Sequence, residues 1–91
     1  MQVRWTRPAA EDLERIARRI QQDNPAAALR IAKTLYDRCM TLKTFPNRGR
    51  IGRIAGTREL VFVPLPYIAV YRVKDDAVEI LRIYHSAQNW P

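Results

Sequence analysis

The sequence predicts an α+β domain of order β-α-α-β-β-β, with an N-terminal strand and a helical hairpin packed on an antiparallel sheet. Three observations predict it. Apolar residues recur at helical spacing from Leu13 to Leu42, the period changes from 3.6 to 2 after Gly56, and Val3 and Trp5 alternate with Gln2 and Arg4 ahead of the first helix. With 91 residues, a single domain over 1–91 is expected, leaving no room for a catalytic domain beside a binding domain.

Thr6 ends the first strand and caps the first helix, with Pro8 tolerated in the first turn. Leu13, Ile16, Ala17 and Ile20 form its apolar stripe, and Glu14, Arg15, Arg18 and Arg19 the opposite face. Asn24 suits a cap and Pro25 a first helical position, so a second helix begins at once. It is expected to run to about Thr44, with Ala28, Ile31, Ala32, Leu35, Cys39 and Leu42 inward, until Phe45-Pro46 ends it. Cys39 lies inside that stripe and reads as a packing thiol. Pro46 to Gly56 reads as a mobile basic loop carrying Arg48, Arg50 and Arg53.

Strands are expected over Thr57 to Val63, Ile68 to Val73 and Val78 to Tyr84. Pro64 and Pro66 belong to the first connection, and Lys74-Asp75-Asp76-Ala77 makes the last hairpin. That turn sets Arg72 opposite Glu79 as an ion pair, Val70 opposite Leu81 and Ile68 opposite Ile83 on one face; on the other, Tyr71 meets Ile80 and Ala69 meets Arg82. Both faces are then apolar, so the face away from the helices is expected to meet a partner.

Hydrophobic residues make up 47% and charged residues 27%, which suits a folded globular chain. Sixteen basic against nine acidic residues give +7, and thirteen of the sixteen are arginine, which forks onto carboxylates and phosphates. An anionic partner follows: RNA, DNA or an acidic protein. One cysteine and one histidine exclude an internal disulfide and any multi-histidine or multi-cysteine metal site; no metal or cofactor is expected. The longest uncharged run, Leu60 to Tyr71, is far short of the roughly 20 apolar residues of a membrane span. No apolar signal core follows Met1, so a cytoplasmic protein is expected.

Gly49-Arg50-Ile51-Gly52-Arg53, Gly56-Thr57-Arg58-Glu59-Leu60-Val61, Pro66-Tyr67, Val70-Tyr71-Arg72 and Ile80-Leu81-Arg82-Ile83-Tyr84-His85, closing on Trp90-Pro91, stand in an order and spacing that resembles the RelE/ParE toxin superfamily over nearly the whole chain. The resemblance implies the toxin of a bacterial type II toxin-antitoxin module, held inactive by an antitoxin. It also implies one of two targets: RelE-type members cut mRNA in the ribosomal A site, and ParE-type members poison DNA gyrase. Fold alone does not choose between them.

Residues argue for the ParE-like side. Metal-free RNA cleavage needs a base, an acid and a cation at the phosphate. By resemblance His85 would be the acid or base, with Arg58 and Arg82 steadying the phosphate and Tyr84 assisting. Nuclease relatives usually carry an arginine where Ile68 stands and in some cases a basic residue where Ile83 stands; Ser86-Ala87-Gln88-Asn89 also lacks the charges that often precede the final Trp-Pro. The alternative for His85 is a strand-end histidine bonded to backbone, and for Arg82 a structural arginine paired with a carboxylate such as Glu59. Trp90 reads as a packing anchor. The favoured reading is therefore binding without catalysis, through an apolar sheet face of Ile68, Val70, Leu81 and Ile83 rimmed by Arg48, Arg50, Arg53 and Arg58. The nuclease, and a family member that binds its antitoxin without toxicity, remain as alternatives.

Overall fold

The computed structural model describes residues 1–88 and 90, so Asn89 and Pro91 of the tail motif lie outside the described residues. The α+β architecture stands as predicted. The helices α1 (Arg7–Asp23) and α2 (Pro25–Met40) pack on a five-stranded sheet formed by β1 (Gln2–Trp5), β2 (Arg50–Ile51), β3 (Arg58–Val61), β4 (Tyr67–Lys74) and β5 (Ala77–His85). The strand order is β1-β5-β4-β3-β2. The expected antiparallel meander forms its centre, but the sheet is mixed: β1 joins β5 in parallel, Val3 beside Val78 and Trp5 beside Ile80.

The caps act where the sequence puts them. Thr6 Oγ1 accepts the Ala9 amide at 3.3 Å and donates to the Ile80 carbonyl at 2.7 Å, so one hydroxyl starts α1 and fastens it to β5. Asn24 Oδ1 accepts the Ala27 amide at 3.1 Å and starts α2. That helix stops at Met40, earlier than expected, because a 3₁₀ turn over Thr41–Lys43 replaces its last turn and the Thr41 hydroxyl donates back to the Arg38 carbonyl at 2.6 Å. Leu35, Cys39 and Leu42 are fully buried against Phe62, Ala69, Tyr71, Val78 and Ile80. Burial pushes the Cys39 thiol up to about 12, so it stays protonated and packs as an apolar group.

The Asp75-Asp76 turn forms, with Asp75 in the left-handed region at φ 56°. It sets Arg72 opposite Glu79 and Tyr71 opposite Ile80, and Arg72 Nε meets Glu79 Oε1 at 2.6 Å. The pairing then shifts. Val70 faces Arg82, Ala69 faces Ile83 and Ile68 faces Tyr84, so Leu81 is an extra residue in β5. The expected pairs Val70/Leu81, Ile68/Ile83 and Ala69/Arg82 are thereby corrected. One inserted residue reverses which face each later side chain takes. Ile83 consequently lies under the helices, 2% exposed in the main core.

The far face of the sheet is closed as well. Ile68, Val70 and Tyr84 form a second buried cluster, with Val61, Leu81 and Trp90 packed on it. Trp90 stacks on Tyr84 with centroids 5.2 Å apart and so serves as the expected packing anchor.

The segment expected to be a mobile loop is built into the sheet. β2 pairs with β3, Arg50 beside Glu59. The Glu59 carboxylate, 2% exposed, accepts Arg50 Nη2 at 2.9 Å and the Arg53 amide at 3.1 Å. Tyr71 Oη accepts the Gly49 amide at 2.8 Å and donates to the Pro46 carbonyl at 2.7 Å. A Cβ on Gly49 would lie 2.7 Å from the Glu59 carbonyl oxygen and 2.7 Å from Tyr71 Cε1. Gly49→Ala is therefore expected to cost about 1–3 kcal/mol; a chemical denaturation midpoint equal to that of the parent would contradict this packing.

Candidate functional site

The electrostatic centre of the molecule is a residue that the sequence reading did not single out. Asp12, on α1 between Ala9 and Ile16, is 1% exposed. Its carboxylate accepts the Ile83 amide at 2.9 Å, Arg82 Nε at 2.8 Å and Nη2 at 3.0 Å, and both terminal nitrogens of Arg15 at 3.1 Å. Burial works to raise the Asp12 pKa, but Arg82, the Ile83 amide and Arg15 together hold it below the ordinary value of 3.8. Asp12 thus meets the shifted stretch of β5, and it replaces Glu59 as the partner expected for Arg82. Its signal was a lone carboxylate on the apolar side of α1, three residues after Ala9 and four before Ile16.

The four residues of the nuclease reading do not all share one cavity: Tyr84 and His85 line one cleft, and Arg58 and Arg82 do not. Arg82 is held by Asp12, and its guanidinium lies 5.6 Å from the centroid of the Trp90 ring. Arg58 Nη1 donates to the Gly49 carbonyl at 2.8 Å. Tyr84 is buried beneath Trp90, which raises its pKa through desolvation and the nearby Glu59 charge. His85 Nδ1 accepts the Ala87 amide at 3.0 Å, a strand-end histidine bonded to backbone, and this leaves the proton of the neutral ring on Nε2. Its ring meets Tyr67 edge-on at 5.5 Å.

His85 opens onto a cleft of about 550 Å³ between α1 and the end of β5. Tyr84 also lines it, as do Arg15 and Arg19 from α1, whereas Arg58 and Arg82 do not. Sequence reasoning placed Arg15 and Arg19 on the outward face of α1 and missed that the end of β5 lies beside them. Their helical spacing gave no signal of that neighbour.

The expected partner surface is also rearranged. Ile68 is 7% exposed, Val70 1% and Ile83 2%, and Leu81 is half-buried. Among the exposed apolar side chains, Ile51 (75% exposed) and Ile54 (42%) on the β2–β3 segment stand beside Arg48, Arg50 and Arg53, while others such as Leu29 and Val63 lie elsewhere. Arg50 is anchored to Glu59, Arg48 Nη1 donates to Thr41 Oγ1 at 3.3 Å, and Arg53 donates to the Trp90 carbonyl. Among the described residues no three His, Cys, Asp or Glu side chains cluster as metal ligands, and no helix is long and apolar enough to cross a membrane.

The family model described as the ParE toxin of the type II toxin-antitoxin system, parDE, matches residues 3–90. A "Putative toxin Y4kP" of Sinorhizobium fredii is 43% identical over 89 residues, 98% of this chain and 92% of that protein. A "Toxin RelE2" of Caulobacter vibrioides is 45% identical over 87 residues, 96% of this chain and 97% of that one. Among solved structures, the chromosomal ParDE TA system from P. aeruginosa superposes with a TM-score of 0.88 at 32% identity, covering 93% of this chain and 95% of that chain. A copper-bound mutant toxin from Helicobacter pylori shares the fold, with a TM-score of 0.68 at 18% identity and 99% of each chain covered. With its meander, its helical hairpin and a family match over nearly its whole length, the chain belongs to the ParE toxin family of type II toxin-antitoxin systems.

Proposed function

We propose that this ParE-family toxin acts in the cytoplasm by binding DNA gyrase, and that a cognate antitoxin protein neutralises it by covering the same surface. The observation that carries the reading is where the arginines are used. Arg82 is held by Asp12 and Arg58 by the Gly49 carbonyl, and neither lines the cleft onto which His85 opens. A site for ribose-phosphate cleavage needs such cations free at the phosphate, and losing one costs a factor of about 100 to 1000 in rate. What the fold presents instead is a braced segment with Ile51 and Ile54 in solvent and arginines around them, an apolar centre with a cationic rim that suits a protein interface.

A second reading, ribosome-dependent mRNA cleavage, draws on one observation: Arg15 and Arg19 line the same cleft as His85. Induction in bacteria without the antitoxin separates the two. The expected result is filamentous cells with DNA-damage signalling and intact transcripts, together with inhibition of purified gyrase by the toxin. Codon-specific transcript cleavage that disappears in His85→Gln would overturn the gyrase reading, and unaffected growth would point to a member that retains only antitoxin binding.

A further inference from the structure

We propose that the cleft between α1 and the end of β5 docks an acidic peptide segment of a protein partner, placing an aliphatic side chain on its floor and a neighbouring carboxylate on Arg19. The inference rests on the cleft alone and holds whichever target the toxin takes. The floor is aliphatic: Ile16 and Ile20 from α1 and the buried Ile83 from β5. The rim is rich in donors. Arg19 makes no ion pair or side-chain hydrogen bond among the described residues, Arg15 reaches Asp12 while its side chain stays 65% exposed, and the exposed His85 lines the cleft. Branched aliphatic side chains accept a leucine or valine and make a poor stacking surface for a nucleobase. The aromatic groups nearby are already engaged, Tyr84 by Trp90 and Tyr67 by His85.

Charge fixes the orientation. Arg15, Arg19 and Asp23 follow one another at four-residue steps along α1, about 6 Å apart. Donors thus stand along one stretch of the cleft and a carboxylate at its far end, which repels an acid there. A peptide carboxylate is directed to Arg15 and Arg19, where the fork of Arg19 takes it, and the +7 chain attracts acidic partners from a distance.

The test titrates the isotope-labelled full chain with three blocked peptides, N-acetyl-Leu-Glu-amide, N-acetyl-Leu-Gln-amide and N-acetyl-Gly-Glu-amide, reading the amide signals of Ile83, His85 and Ala87. N-acetyl-Leu with a free terminal carboxylate distinguishes a chain end from a side chain as the source of the anion. The Leu-Glu peptide is expected to half-saturate these signals at a concentration about fivefold below either of the other two amides. Arg19→Gln, an exposed change, is expected to abolish the preference for Glu over Gln at an unchanged melting temperature. No response, equal responses to all three amides, shifts confined to other amides, or a preference that survives Arg19→Gln would each overturn the proposal. Gyrase takes no part in the titration, so its outcome is separate from the fate of the gyrase reading.

Discussion

Asp12→Ala is expected to remove about 3 kcal/mol of unfolding free energy. The carboxylate is buried while Arg82 and Arg15 reach solvent, so solvent screens the two cations and the loss sits at the low end of that for broken buried pairs. The Ile83 amide would also lose its acceptor. For a domain of this size the expected fall in melting temperature is on the order of 10–20 °C. The pH dependence has a definite sign. Because the folded-state pKa of Asp12 lies below 3.8, its contribution is complete above that value and is lost as pH falls through the folded value. Thermal melts of the parent should therefore show an acid decline that is shallower in Asp12→Ala. Parallel declines in the two proteins, or a loss under about 1 kcal/mol, would contradict the assignment.

Tyr71→Phe is the second large effect, at about 2–4 kcal/mol. The ring stays in the core, so the loss isolates one hydroxyl that serves two backbone groups, the Gly49 amide and the Pro46 carbonyl. Removing it leaves a buried donor and an acceptor without partners, each costing roughly 1–3 kcal/mol when orphaned. Burial raises the Tyr71 pKa, against the opposing pull of the Gly49 amide, so the hydroxyl keeps its proton and remains both donor and acceptor at neutral pH. Hydrogen exchange gives the more specific readout: Gly49 and Arg50 should exchange faster while the α2 amides change only with global stability. Uniform acceleration across all elements would mean that Tyr71 serves the core generally and not this segment.

Most of the fold was legible because its determinants are local. Helical spacing located both helices, Thr6 and Asn24 marked their starts, and the Asp75-Asp76 turn set the Arg72/Glu79 and Tyr71/Ile80 pairs of the last hairpin. The rest was decided across long stretches of chain. Nothing in the alternation of β5 marks Leu81 as an extra residue; the Ile83 amide beyond it is taken by a carboxylate 71 positions earlier. The braced β2 depends on Glu59, which was expected to pair with Arg82, and on Tyr71, which read as an ordinary strand residue. The candidate site inherited both gaps. The one-residue shift took Ile83 from the expected partner face into the core, and Arg82 gave its guanidinium to Asp12. His85 and Tyr84 were visible as residues, but their neighbours Arg15 and Arg19 were not, since a helix shows its own period and not what it packs against.

The position of β5 bears on how the protein comes into being at the ribosome. The strand synthesised last of the five is wedged between the first, β1, and its own hairpin partner, β4. While residues 77–85 are still inside the exit tunnel, β1 has no neighbour to pair with and α1 has no strand to receive Thr6 or Asp12. Neither β1 nor the α1 anchors can therefore settle into the fold until residues 77–85 have emerged, which makes β5 the element that closes the domain.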